Sequence, residues 1–166
     1  STSFCAGSSV TLTATSVSGA NYVWYRNSVA VSSPSASTTF NANTAGSYTV
    51  EVINSQGCRA TSAASGITSN PVPSVSISIP SNQLCSGSSS IITATEVPSA
   101  TYEWFRNNVS LGAPGSNRTL SVNQAGTYRV RVNDGCTANS NDLSISILSS
   151  PAAAGSISGI SSFCPG

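Results

Sequence analysis

Apolar and polar residues alternate along most of this chain with a period of two. Val10, Leu12 and Ala14 alternate with Thr11, Thr13 and Thr15, and Tyr48, Val50 and Val52 alternate with Ser47, Thr49 and Glu51. A period of two sends successive side chains to opposite faces of an extended strand. The pattern therefore predicts half-buried antiparallel strands, built from Val, Thr and Tyr. Turn residues separate them at Ser18-Gly19, Asn54-Ser55-Gln56-Gly57 and Asn133-Asp134-Gly135. No segment carries a helical stripe. Short strands punctuated at regular intervals predict an all-β sandwich.

The pattern is written twice and begun a third time. Cys5-Ala6-Gly7-Ser8-Ser9 returns about 80 residues later as Cys85-Ser86-Gly87-Ser88-Ser89, and Phe163-Cys164-Pro165-Gly166 opens another copy. Between them Tyr22-Val23-Trp24-Tyr25-Arg26-Asn27 matches Tyr102-Glu103-Trp104-Phe105-Arg106-Asn107. Gly57-Cys58 matches Gly135-Cys136. A fixed period of this size indicates an array of small domains. The expected divisions are residues 1–70, with the first strand largely missing, 71–150, and 151–166 as the start of a third repeat. Asn70-Pro71-Val72-Pro73 and Ser149-Ser150-Pro151 form the joints, where proline holds the chain extended. Ser74 to Ile79 and Gly155 to Ile160 read as the first strand of the domain that follows each joint.

Composition narrows the function. Charged residues make up 7% of the chain, the net charge is +1, and there is no lysine. A nucleic-acid footprint and a polybasic membrane patch are both absent from such a sequence. No apolar run approaches the roughly 20 residues of a membrane span, so no membrane insertion by this segment is expected. Histidine is missing, which removes the commonest general base and metal ligand. Glu51, Glu96, Glu103, Asp134 and Asp142 do not pair at close spacing, and Asn133-Asp134-Gly135 reads as a hairpin turn rather than a calcium loop. No catalytic residue, metal site or cofactor is expected, and the protein reads as a non-enzyme. The five cysteines recur at matched positions, which indicates a disulfide framework made in an oxidising compartment, outside the cell or on its surface.

Parity assigns the aromatic residues. Trp24 shares a face with Tyr22 and Trp104 with Tyr102, so each tryptophan is expected to plug the core between two sheets. Tyr48 and Tyr128 each follow Gly by two residues and resemble a tyrosine corner, with a hydroxyl bonded to nearby backbone. Tyr25 and Phe105 have the opposite parity and should point outward. Glu103 shares that outer face, with Arg129 and Arg131 on the neighbouring strand. These five are candidate surface-binding positions for a polysaccharide or a protein. The plainer reading is a solvated sheet face with cross-strand charge pairs.

Taken in order, Phe4-Cys5-Ala6-Gly7-Ser8-Ser9, Tyr22-Val23-Trp24-Tyr25, Ala45-Gly46-Ser47-Tyr48-Thr49-Val50 and Gly57-Cys58 resemble one bacterial immunoglobulin-like repeat. It is the type related to PKD domains and strung in long arrays in Bacteroidetes surface proteins, including gliding-associated adhesins exported by type IX secretion. The second copy resembles it through Leu84-Cys85-Ser86-Gly87, Ala125-Gly126-Thr127-Tyr128 and Gly135-Cys136. Two departures stand out. Val50 and Val130 occupy the place of the second antibody-type cysteine, and the PKD stretch after the tryptophan is replaced by Tyr25-Arg26-Asn27. The resemblance implies two tandem immunoglobulin-like Greek-key β-sandwiches, head to tail. It also implies a structural segment of a long secreted adhesin or filament, whose partners are neighbouring repeats of the same chain. The alternatives are a carbohydrate- or protein-binding module, and accessory domains of a large secreted enzyme.

Two pairings compete for the cysteines, with free thiols as a third outcome. Bonds within each repeat would join Cys5 to Cys58 and Cys85 to Cys136, leaving Cys164 for the next repeat. In an immunoglobulin-like sandwich, however, these partners lie at opposite ends of strands that run the same way. A seven-residue strand spans about 23 Å, while bonded cysteines need Cα atoms within about 7 Å. That topology favours a bond across the joint, Cys5 to Cys136, with Cys58, Cys85 and Cys164 reaching domains outside this segment.

Overall fold

The computed structural model describes residues 2–149 and 151. Gly155 to Ile160 and Cys164, assigned above to a third repeat, lie outside the described residues. In the first repeat the strands are β1 (Ser3–Cys5), β2 (Val10–Thr13), β3 (Asn21–Arg26), β4 (Val29–Ala30), β5 (Thr39–Ala42), β6 (Gly46–Ile53), β7 (Arg59–Thr61) and β8 (Ser65–Asn70). In the second they are β9 (Ile77–Ser78), β10 (Gln83–Cys85), β11 (Ser90–Ala94), β12 (Thr101–Arg106), β13 (Val109–Ser110), β14 (Thr119–Val122), β15 (Gly126–Asn133), β16 (Thr137–Asn139) and β17 (Leu143–Leu148).

Each repeat folds into two sheets. The larger sheet of the first has the order β1-β8-β6-β3-β4, with β7 on β6, and the smaller is β2-β5. The second repeat has β10-β17-β15-β12-β13, with β16 on β15, and β14-β11-β9. Successive strands switch sheets between β2 and β3, between β4 and β5, and between β5 and β6. This is the Greek-key connection of immunoglobulin-like sandwiches. The first strand of each large sheet runs parallel to the last, with Cys5 opposite Asn70 and Cys85 opposite Leu148.

The inward-facing residues of both sheets form the cores. Tyr22, Trp24, Tyr48 and Val50 are buried in the first, and Tyr102, Trp104, Tyr128 and Val130 in the second. Val23 is buried as well, although its parity places it on the outer face. The Tyr48 hydroxyl donates to Thr44 O at 2.7 Å, and that of Tyr128 to Gln124 O at 2.9 Å. Each phenol thereby ties the start of its strand to the corner before it.

Two-residue hairpins join β3 to β4 and β12 to β13. Asn27 and Ser28 have φ of 48° and 65°, and Asn107 and Asn108 have 50° and 66°. Two consecutive left-handed residues make the turn whose twist matches that of the strands. The Asn27 and Asn107 side chains also accept from Ser47 N and Thr127 N, each at 2.9 Å.

The compact units divide at Ser74 and Val75, a few residues past the proline joint. The tip of the β15–β16 hairpin, Asn133–Ala138, groups with the first unit. Its Cys136 is covalently bonded there, which draws the boundary across the sequence repeat.

Candidate functional site

Cys5 and Cys136 form a disulfide, with Cα atoms 5.7 Å apart at a sequence separation of 131. Cys5 ends β1, held beside Asn70 at the end of β8. Cys136 sits in the turn between β15 and β16, where Asp134 Oδ1 accepts its backbone N–H at 3.0 Å. It is 2% exposed.

The pairing within repeats, Cys5 to Cys58 and Cys85 to Cys136, does not form, and the strand registers explain why. β8 runs antiparallel to β6 with Gly46 opposite Ile67, so the Asn70 end of β8, and Cys5 with it, lies beyond the start of β6. Cys58 follows the far end of β6, in a turn closed by Asn54 Oδ1 accepting from Cys58 N at 2.8 Å. Eight strand residues separate the two positions, about 26 Å at strand rise. Cys58 and Cys85 are free and exposed. They occupy the positions of Cys136 and Cys5 in the other repeat: Cys58 a turn after the long strand, Cys85 the end of a strand parallel to the last. Cys164 lies outside the described residues.

The outer sheet face differs between the repeats. In the second, Arg129 Cζ lies 5.5 Å and Arg131 Cζ 5.4 Å from the Phe105 ring centroid. Arg131 donates to Glu103 Oε2, and Ser110 Oγ donates to Glu103 Oε1 at 2.9 Å. The Ser110 hydrogen bond, then that of Arg131, holds the Glu103 carboxyl below the usual carboxylate range. The Arg129 Nε is buried without a hydrogen-bond partner. In the first repeat the acid sits on the other strand: the Tyr25 hydroxyl donates to Glu51 Oε2 at 3.2 Å, and Arg59 pairs with the same oxygen at 2.8 Å. Burial, and then the hydrogen bond to Glu51, raises the pKa of Tyr25 above the usual phenol value. The five candidate surface residues therefore fall in two clusters. Tyr25 belongs to one, and Glu103, Phe105, Arg129 and Arg131 to the other. Both are cross-strand networks that satisfy most of their own charges.

A further pair of phenols was not foreseen as bonding groups. Tyr22 Oη accepts from Val17 N at 2.7 Å and donates to Thr15 O at 3.2 Å. Tyr102 Oη accepts from Val97 N at 2.8 Å. Each ties the loop before its strand onto the core.

Residues 1–71 match the family model described as Ig-like domain CHU_C associated. No curated protein sequence matches the chain. Among solved structures, the chain is similar to the fibronectin(III)-like modules of Clostridium thermocellum CbhA. They share 15% identity with a TM-score of 0.50, over 89% of this chain and 88% of that one. Murine CEACAM1b is similar at 17% identity and a TM-score of 0.45, over 89% and 96% of the two chains. The titin I-band fragment I67-I69 is similar at 14% identity and a TM-score of 0.45, over 89% and 62%. At 15% identity the likeness to the CbhA modules describes the sandwich fold alone.

Proposed function

We propose that this chain is a non-catalytic structural segment of a secreted cell-surface adhesin or filament, in which disulfides staple successive repeats into a load-bearing array. The observation that carries this reading is the bond from a strand-end cysteine of one repeat, Cys5, to the turn cysteine of the next, Cys136. The same rule gives Cys85 a partner in a following repeat and Cys58 a partner in a preceding one, which accounts for both exposed thiols. Disulfides of this kind persist in oxidising compartments, which supports a place outside the cell. The family match over residues 1–71 supports an immunoglobulin-like module of Bacteroidetes type. Gliding motility and type IX export belong to the same proposal and rest on the sequence resemblance.

The reading has a mechanical test. When the chain is pulled from its ends, load passes from Cys5 to Cys136 through the disulfide and bypasses the 131-residue separation between them. Single-molecule stretching should therefore show reduction adding about 430–470 Å of extension, at about 3.3–3.6 Å per residue. Equal extension of the oxidised and reduced protein would reject the staple.

A second reading has its own observation. Phe105 flanked by Arg129 and Arg131 presents an aromatic ring beside two cations, chemistry that can engage an anionic polysaccharide or an acidic protein surface. Binding to a glycan panel that is lost in Phe105→Ala would favour it; no binding would leave the face structural.

A further inference from the structure

The corner where the β12–β13 hairpin meets β15 and the start of β17 differs in chemistry between the repeats. In the second repeat it forms a pocket of about 360 Å³ lined by Asn107, Asn108, Thr127, Arg129 and Asp142. Hydrogen bonds identify the counterparts in the first. Asn27 and Asn107 accept alike from the long strand, at Ser47 N and Thr127 N. Ser62 and Ser140 also correspond, since their hydroxyls accept from Val50 N at 3.1 Å and Val130 N at 3.0 Å. Two residues after them stand Ala64 and Asp142. Three positions therefore change: Ser28 becomes Asn108, Thr49 becomes Arg129 and Ala64 becomes Asp142. Ser28 and Asn108 share a left-handed φ, 65° and 66°, so that exchange alters the side chain and keeps the turn.

The charges in this pocket do not satisfy each other. Arg131 pairs with Glu103, whereas the Arg129 guanidinium meets the Phe105 ring, with Cζ 5.5 Å from its centroid. Among the described residues, neither Arg129 nor Asp142 forms an ion pair. The Arg129 Nε is buried without a hydrogen bond, so packing holds the stem and the two Nη groups are left as donors. A fork of N–H donors suits a carboxylate. Asp142 is exposed and its carboxylate only accepts, so it calls for a hydroxyl or amine donor. The Asn107 Oδ1 is taken by Thr127 N, which leaves its Nδ2 to donate. Asn108 can donate and accept, as a hydroxyl does.

We propose that this pocket seats one hexuronate unit of an acidic polysaccharide, with the sugar carboxylate on Arg129 and ring hydroxyls on Asp142, Asn107 and Asn108. The proposal rests on the second reading above, that this face meets an anionic polysaccharide, and it names the sugar and its seat. A uronate carries a carboxylate and hydroxyls on one ring, the combination that a cation beside an anion selects. A neutral sugar leaves Arg129 unpaired. A densely sulfated chain brings a second anion against Asp142, which repels it. The pocket volume lies near the small end of ligand sites, about 300–1,000 Å³, and suits a single ring. The first repeat, with Ser28, Thr49 and Ala64 at these positions, offers no such seat.

Titration of the 166-residue chain with oligogalacturonate, followed by NMR, tests the seat. The expected result is saturable shifts of the Asn107 and Asn108 side-chain amides, with the Asn27 amide unmoved. Arg129→Thr and Asp142→Ala, which install the first repeat's residues, should each weaken binding about tenfold. Asn108→Ser should weaken it less. Dextran sulfate and a neutral galactan should bind more weakly than oligogalacturonate. An unchanged thermal melt of each variant shows that the sandwich is intact. A face that attracts anions by charge alone would instead gain affinity in Asp142→Ala. That gain, or binding indifferent to both substitutions, or equal binding of dextran sulfate, would overturn the seat while the broader reading of the face stood. No shift with either anionic glycan would overturn both.

Discussion

Glu103 shows how a single side chain on the sheet face is tuned. Its carboxylate accepts from Ser110 and from Arg131, and both bonds favour the charged form. The folded pKa is therefore depressed. By linkage, the group contributes stability above its ordinary pKa and loses that contribution as pH falls through the folded value. Observed by NMR, the Glu103 titration midpoint should rise in Ser110→Ala and again in Arg131→Ala. A midpoint that moves in neither variant would contradict the assigned causes. Alternating parity made Trp24, Trp104, Tyr48 and Tyr128 readable as inward residues, because burial on one face of a strand follows from the period alone. It could not show that Tyr22 Oη would reach Thr15 and Val17, since that bond depends on a loop folding back over the strand. Nor did it place Val23 inside, because parity says which face a residue occupies and not what covers it.

At the scale of elements, the strands with long alternating runs were legible, and the short hairpin strands β4 and β13 were not. β6 and β15 follow directly from Tyr48-Val50-Val52 and Tyr128-Val130-Val132. β4 and β13 are two residues each, too short for any period to register. They exist because Asn27-Ser28 and Asn107-Asn108 adopt left-handed turns without glycine. Gly46 and Gly126 show the complementary constraint: a Cβ there would come within 2.8 and 3.0 Å of the Cγ of Arg26 and Arg106. The segment Ser74 to Ile79 was expected to be a strand, and β9 lies within it. Ile77 brings it into the core at 5% exposure. Truncating a buried isoleucine removes transfer energy and leaves a cavity, at a cost of about 2–5 kcal/mol. Ile77→Ala should lower the urea midpoint of the second unit accordingly, while a loss below 1 kcal/mol would mean that β9 does not seal that core.

For the whole molecule, the cysteine spacing admitted two frameworks, and strand direction separated them. Cys5 and Cys58 flank opposite ends of β6, a fact fixed by the β6–β8 and β1–β8 registers and invisible in spacing alone. The repeat period showed how many sandwiches to expect, yet it could not show that Asn133–Ala138 would group with the first compact unit. The central claim is that the cysteine framework joins repeats and does not close each one on itself. Its most direct test is mass-spectrometric disulfide mapping of the unreduced protein. The account predicts a Cys5–Cys136 cross-linked peptide, with Cys58 and Cys85 recovered as alkylated thiols from this chain. Peptides linking Cys5 to Cys58 and Cys85 to Cys136 would contradict it.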